Sequence, residues 1–507
     1  MSVRPDGPDG HPQGGSGRHD RGRSGDGRSR GGRGRPRDDR GRRAGRGPAG
    51  RDARETRRRE QPALDPPRVA ARDTLRAVRE RDAYANLVLP RLLRERRITG
   101  RDAAFATELA YGACRALGLL DAVIEACAGR PLDRVDPPVV DALRLGVYQL
   151  LRTRVAPHAA VSTTVDMVVA DSGRGAGGFA NAVLRKAAEK TDQQWITQLT
   201  PSPETAPVAA SAFRHTHPAW IAQAFADALG PAAGELDAAL EADNVSPRVH
   251  LVARPGAISA EELALVTGGE EGLYSPYAVY LDGGDPGELD PVRDGLAAVQ
   301  DEGSQLVARA ATLAALDGPD GGRWLDLCAG PGGKAALLGA IADIDGAHVD
   351  AVEPAEHRAA LVRSAVDGLP VTVHAVDGRD SGLDPGYDRV LVDAPCTGLG
   401  ALRRRPEARW RKSPGDVTDL TRLQRELLGA AAALVRPGGV IVYSTCSPHL
   451  AETAGIVLDA QRRHGLTALD ARTLVPGAMP GLGDGPFVQL WPHRHGTDGM
   501  FVAALRK

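Results

Sequence analysis

The sequence lacks the means to be held by cross-links or to cross a membrane. It has only five cysteines in 507 residues, Cys114, Cys127, Cys328, Cys396 and Cys446. Their number is odd, they are far apart, and they form neither a CxxC pair nor a zinc-ligand spacing with histidine, which argues against disulfide and metal frameworks. There is no apolar run of the roughly 18 residues that a span needs, and the N-terminus carries no apolar stretch of the kind found in secretory signals. A cytoplasmic protein with reduced thiols, no metal and no membrane partner is expected. Net charge is also nearly absent, at −1, but this balance hides a division. Residues 1–60 hold 18 Arg, no Lys and 9 acidic residues, so the remainder carries 46 basic against 56 acidic side chains.

That first stretch also holds 15 Gly and almost nothing apolar, so it cannot bury enough surface to offset the entropy of ordering. A disordered Arg/Gly-rich tail over 1–63 is expected, either meeting phosphates and bases through its arginines or acting as a solvated leader. From Pro66 to about Lys190 apolar residues recur at helical spacing, as in Val69 to Val78 and Val139 to Leu151, with breaks expected at Pro131, Pro137, Pro157 and the Gly173–Gly178 cluster. An all-α domain follows, with Cys114 and Cys127 as core residues. Residues 191–210, rich in Gln, Thr and Pro, read as a linker. The region after it, with a strand at Arg248 to Val252, reads as a small mixed α/β segment.

From 322 onward strand and helix alternate. Five β-branched runs, Arg323–Leu327, His348–Val352, Val371–Val376, Arg389–Val392 and Val440–Tyr443, enclose helical stretches such as Lys334–Ala342 and His357–Val366, the pattern of a mostly parallel sheet covered on both faces. Ligands bind such sheets at the carboxyl ends of the strands. The first strand ends in Asp326-Leu327-Cys328-Ala329-Gly330-Pro331-Gly332-Gly333-Lys334 and a helix follows, so that glycine backbone and free helical N–H groups can approach an anionic group. The loop is not GxxxxGK[ST], which disfavours a triphosphate cradle. Glu353, at the end of the second strand, is placed to accept from two ribose hydroxyls. Asp377 ends the third strand, in reach of an adenine, and Asp393 ends the fourth. Cys328 is expected to contribute only its backbone.

Two of these strand ends carry thiols, in Asp393-Ala394-Pro395-Cys396 and Ser444-Thr445-Cys446-Ser447. If the fourth and fifth strands are neighbours, both sulfurs emerge beside the cofactor loop. This suits methyl transfer to a pyrimidine. Cytosine C5 is a poor nucleophile until a thiolate adds to C6, and covalent catalysis divides the difficult step. Cys446 would add, Asp393 would assist at N3 if burial raises its pKa, and Cys396 would serve proton removal and release. A thiol titrates near ~8.5, so the nucleophile also needs activation by its surroundings.

These motifs resemble the RNA 5-methylcytosine methyltransferases of the RsmB/Nop2/Sun type. In that family the Thr-Cys thiol, here Cys446, is the nucleophile, and the Pro-Cys thiol, here Cys396, assists product release. DNA cytosine-C5 enzymes reverse the roles and carry a Glu-Asn-Val motif that is absent here. The resemblance extends to Gln300-Asp301-Glu302-Gly303-Ser304-Gln305 and to the basic segment Arg403-Arg404-Arg405-Pro406-Glu407-Ala408-Arg409-Trp410, whose Arg403, Arg404, Arg405 and Arg409 it implies as RNA contacts. It also covers Ala83 to Leu87, Val155 to Val161 and Gly178 to Arg185, which look like the NusB-type RNA-binding domain fused to the small-subunit ribosomal RNA branch. Two departures are visible: Arg248-Val249-His250 stands where the family often has Arg-x-Asn, and Glu353 replaces the commoner Asp.

The resemblance leaves the tail over 1–63 outside and implies a NusB-type helical RNA-binding domain over 64–195, a small α/β subdomain over 211–310 and a Rossmann-like, doubly wound α/β methyltransferase domain over 311–507. It implies a monomer that uses S-adenosyl-L-methionine to methylate a cytosine of small-subunit ribosomal RNA. Two alternatives stay open: a transfer-RNA or large-subunit cytosine methyltransferase, and a non-catalytic NusB-like antitermination protein, which should show a degraded cofactor loop or lack Cys446.

Overall fold

The computed structural model describes residues 64–507, and the Arg/Gly-rich tail lies outside the described residues. The first half is helical: α1 (Pro66–Arg81), α2 (Ala85–Glu95), α3 (Gly100–Ala128), α4 (Pro137–Arg152) and α5 (Pro157–Ala187). Each boundary has a local cause. Asp65 caps α1 by accepting from the Arg68 N–H at 3.3 Å, proline occupies the first turn of α1, α4 and α5, and α3 ends where Gly129 turns left-handed. Leu109, Ala113, Leu120 and Ile124 of α3 pack with Leu143 and Val147 of α4 and Leu184 of α5, and Cys114 and Cys127 lie in the same core.

Two expectations fail here. The Gly173–Gly178 cluster breaks α5 at Gly173 alone, because Phe179, Ala180 and Val183 still bury themselves against the core and packing overrides the poor helix propensity of glycine. Residues 191–210 hold two helices, Asp192–Leu199 and Pro207–Arg214; the first is fixed by a reciprocal Thr191–Gln194 cap and by Trp195, which buries itself in the helical core.

A four-stranded antiparallel sheet comes next, formed by β1 (Val249–Ala253), β2 (Glu270–Glu271), β3 (Ala278–Leu281) and β4 (Ala297–Val299) in the order β2-β3-β1-β4. Leu251, Ala253, Val279 and Leu281 form its core with Leu263 of the helix Ala260–Thr267.

The second sheet has eight strands: β5 (Arg323–Asp326), β6 (His348–Val352), β7 (Val371–His374), β8 (Tyr387–Asp393), β9 (Val435–Thr445), β10 (Thr467–Leu469), β11 (Val488–Gln489) and β12 (Phe501–Arg506). Its order is β10-β12-β9-β8-β5-β6-β7, with β11 paired to β12. The strands β5 to β9 run parallel, and β10, β11 and β12 join by antiparallel pairs. This is the Rossmann-like, doubly wound arrangement, with the helices Gly333–Asp345, Glu356–Ala365 and Pro414–Leu434 as crossovers. The five strands read from sequence are all present. The antiparallel edge was not foreseen, although Phe501 to Leu505 is fully buried and apolar. Among the described residues no helix is long and apolar enough to cross a membrane.

Candidate active site

Because β8 and β9 are neighbours in parallel register, Asp393 pairs directly with Ser444. The two cysteine loops therefore leave the sheet side by side, next to the loop after β5. The Sγ atoms of Cys396 and Cys446 stand 3.4 Å apart. Close backbone approach seats the Cys446 loop: the Gly400 N–H donates to the Cys446 carbonyl at 2.9 Å, and the Gly499 N–H to the Gly400 carbonyl at 2.7 Å. A Cβ at Gly400 would lie 2.0 Å from the Gly499 oxygen, so no other residue fits.

The two thiols differ electrostatically. Cys446 is held below the usual thiol range, chiefly by the hydrogen bond from Cys396 and also by the nearby Lys334 ammonium, against burial and the carboxylates of Asp393 and Asp498. Cys396 is pushed well above that range by the same hydrogen bond, by burial, by the charge on Cys446 and by Glu452. Of the two, Cys446 is therefore the more readily ionised. Lys334, from the first turn of the helix Gly333–Asp345, reaches across the loop, and its Nζ donates to Asp393 Oδ2 at 2.7 Å. Burial would lower its pKa, but the Asp393 carboxylate more than offsets that and raises it. Lys334, expected only as a cofactor contact, is therefore also a cation that acts on Cys446. Asp393 sits partly exposed in this ion pair, not buried as the N3 role was expected to require.

Ahead of Lys334, the glycine loop wraps a buried acid. A Cβ on Gly330 would come within 2.1 Å of Glu353 Oε2, and one on Gly332 within 2.7 Å of Ala365. Glu353 is 2% exposed; its Oε1 accepts from the Ala355 N–H at 3.0 Å and its Oε2 pairs with Arg358 at 3.2 Å. Asp326, given no role from sequence, is buried at the end of β5, with one oxygen accepting from the Cys328 N–H at 3.2 Å and Oδ2 lacking a partner. Burial, reinforced by Asp393 and Glu353, pushes its carboxyl up to about 7. Burial and the surrounding acids push the Cys328 thiol well above its ordinary range. Ala329, Pro331 and Gly333 complete the loop. Asp377 stands apart: β7 ends at His374, three residues earlier, and the Asp377 carboxylate caps a short turn, accepting from the Arg379 N–H at 2.9 Å and pairing with its guanidinium at 2.6 Å.

The arginines after Cys396 require correction. Arg409 is fully buried; its guanidinium donates to Asn244 Oδ1 at 2.8 Å and to the carbonyls of Thr216 and Asp243 at 3.2 Å each. Arg403, also buried, pairs with Asp498 at 2.8 Å and Asp301 at 3.1 Å, and Arg404 pairs with the same two acids. These three groups have internal partners, and of the four only Arg405 is exposed, lying over the Tyr84 ring. The same segment reaches into the helical half. The Trp410 indole donates to the Cys114 carbonyl at 3.0 Å and lies against Gly118, where a Cβ would come within 2.2 Å of the ring; Glu407 accepts from the Ala85 N–H at 3.2 Å. His250, where Asn was expected, is buried against Tyr280 and accepts from the Glu302 N–H at 3.1 Å, tying β1 to the helix Glu302–Leu313.

A family model described as 16S rRNA methyltransferase RsmB/F matches residues 313–506, and one for the NusB family matches residues 65–189. A Mycobacterium tuberculosis protein named as a methyltransferase is 64% identical over 88% of this chain and 97% of its own length. The ribosomal RNA small subunit methyltransferase B of Escherichia coli is 31% identical over 87% of this chain and 98% of its own. The chain belongs to the RsmB/F family of 16S rRNA methyltransferases. In fold, this RsmB/F chain is similar to the solved structure of PH0851, with a TM-score of 0.71 at 23% identity over 87% of this chain and 99% of that one.

As an RsmB/F member it is an rRNA methyltransferase that uses S-adenosylmethionine and acts on RNA. The residues present fit that cofactor. The cradle at Gly330 and Gly332 is one that side chains would fill, Glu353 offers a buried carboxylate to a diol, and the unpartnered Asp326 Oδ2 leaves a buried acceptor for a cationic or donor group. Among the described residues no cluster of His, Cys, Asp or Glu could hold a metal ion. Beyond Asp326, sequence reasoning missed Glu452, which is buried between the cysteine loops. No spacing rule marks a lone Glu in a turn; only the folded packing reveals it.

Proposed function

We propose that this RsmB/F methyltransferase methylates C5 of a cytosine in 16S ribosomal RNA through a covalent adduct between Cys446 and C6 of the base. The observation that carries the reading is the thiol pair, whose sulfurs lie 3.4 Å apart with Lys334 and Asp393 beside them. In this reading the Cys446 thiolate adds to C6 while Asp393, held in place by Lys334, faces the N3 and N4 edge. S-adenosylmethionine, when bound, supplies the electrophilic methyl group. Gly330 to Lys334 and Glu353 would hold it, with Asp377 nearer the adenine end.

The second half of the reaction falls to Cys396. Its hydrogen bond to the Cys446 thiolate, and that thiolate's charge, are two of the causes holding its proton. Once Cys446 becomes a thioether both are gone. Cys396 can then give its proton to solvent, and its thiolate takes the C5 proton; the C–H electron pair closes the C5–C6 double bond as the C6–S bond breaks and Cys446 leaves as the thiolate.

The NusB match over residues 65–189 supports the small-subunit assignment, and the intact cofactor loop and Cys446 argue against a non-catalytic antitermination protein. Bisulfite mapping of ribosomal RNA with and without the gene tests the reading: one 16S cytosine should lose its methyl mark on deletion, and a change in transfer RNA or large-subunit RNA instead would reassign the substrate.

For the cofactor, Glu353→Ala removes charge-assisted hydrogen bonds worth about 1.5 to 3 kcal/mol. Titration calorimetry should show S-adenosylmethionine binding weakened by one to two orders of magnitude, and wild-type affinity would refute the assignment of Glu353.

A further inference from the structure

Glu452 follows β9 in a turn, and its side chain is fully buried between the loops that carry the two thiols. Its Oε1 accepts from the Thr397 N–H at 2.8 Å and from Gln424 Nε2 at 3.3 Å; its Oε2 accepts from the Thr397 hydroxyl at 2.5 Å and the Ser447 hydroxyl at 2.7 Å. Thr397 directly follows Cys396, and Ser447 directly follows Cys446. The other side of Cys396 is fixed as well, because Gln424 Nε2 donates to the Pro395 carbonyl at 2.8 Å. The turn itself is pinned by the Tyr443 hydroxyl, which donates to the Glu452 carbonyl at 2.7 Å.

A buried carboxylate is costly unless it is paired or fully hydrogen-bonded, and among the described residues Glu452 has no cationic partner within ion-pair distance. Its four bonds come from neutral donors, and an amide side chain of the same shape could serve most of them. A structural role alone therefore does not account for a carboxylate here. Glu452, Asp393 and the Cys446 sulfur face Cys396, whereas Lys334, Asp393 and Asp498 face Cys446. Asp393 acts on both thiols; after the hydrogen bond between the sulfurs, Glu452 on Cys396 and Lys334 on Cys446 are the charges that add to the difference in the same direction.

We propose that Glu452 is a positioning residue that clamps the two cysteine loops through Thr397 and Ser447 and selects Cys446, not Cys396, as the nucleophile. This rests on reading Cys446 as the attacking thiol. Its test needs no RNA, so it succeeds or fails independently of the substrate assignment.

The test is competitive alkylation of the folded, RNA-free protein with limiting iodoacetamide across pH 6 to 9, read by mass spectrometry as the Cys446 to Cys396 labelling ratio, with Glu452→Gln and Ser447→Ala as variants. Gln keeps the shape and removes the charge, so the ratio should fall about tenfold, the equivalent of about one pH unit in Cys396 ionisation. The Cys396 profile should move to lower pH. Ser447→Ala keeps the charge and removes one bond, and its ratio should stay within about twofold of wild type. An unchanged ratio in Glu452→Gln, or an equal fall in Ser447→Ala, would overturn the proposal. Should Glu452→Gln not fold, the wild-type profiles decide: Cys446 must label with the lower midpoint, and the reverse order would sink the idea.

Discussion

Replacing Cys446 by alanine is expected to abolish methyl transfer and to leave no RNA covalently attached to the protein, whereas Cys396→Ala should accumulate a protein–RNA species that survives denaturing gel electrophoresis. The difference follows from which side of the adduct each sulfur serves. Without Cys446 nothing adds to C6. Without Cys396 the adduct forms but loses its proton-transfer partner, an effect worth about 10² to 10⁴ in turnover. Cys446 also loses the hydrogen bond that is the largest cause of its lowered pKa. The onset of adduct formation in Cys396→Ala should therefore move to higher pH than the pre-steady-state addition step of the wild type. Both variants should still bind S-adenosylmethionine. The reversed trapping pattern would refute the assignment of roles and leave the fold and the methyl donor untouched.

The second large effect concerns stability. Arg409→Ala removes a fully buried guanidinium and leaves the Asn244 side chain and the carbonyls of Thr216 and Asp243 without their donor. Beside it, burial has already pushed the Asp243 carboxyl up to about 7, and Arg409 is the first of the cations that hold it down. Breaking such an arrangement costs about 3 to 5 kcal/mol, which calorimetry should register as a fall in Tm of roughly 10 °C. The slope of RNA affinity against salt should not change, because no phosphate contact is lost. Arg405→Ala makes the contrast: its melting temperature should be unaltered, and the slope should shrink by about 0.9 if one phosphate contact disappears. A flattened slope in Arg409→Ala with unaltered stability would restore that arginine to the RNA surface.

These two cases show what could be read without coordinates. The thiols were legible because strand ends in a parallel sheet all open on one edge, so Asp393 to Cys396 and Ser444 to Ser447 had to meet the loop at Asp326 to Lys334 once β8 and β9 were neighbours. Glu353 was legible for the same reason. Asp377 was placed less well, since β7 stops at His374 and the carboxylate turns to Arg379. The arginines were misread because a run of cations looks like a solvated surface, and nothing local reveals that Asp301 and Asp498, one hundred residues away on either side, come back to neutralise Arg403 and Arg404. Glu452 and the second role of Lys334 were invisible because each depends on two loops that only the sheet brings together.

The Trp410 contact bears on how this chain can be divided. The loop that starts at Cys396 ends with an indole seated over Gly118 and a carboxylate, Glu407, bonded to the backbone of α2. A catalytic half expressed without the helical half would expose that indole to water, strand the Glu407 carboxylate, and free the far end of the loop whose near end carries Cys396. The helical half is thus a wall of the reaction chamber's scaffolding and not a detachable tether. Excising it should be felt in the chemistry as well as in the grip on RNA.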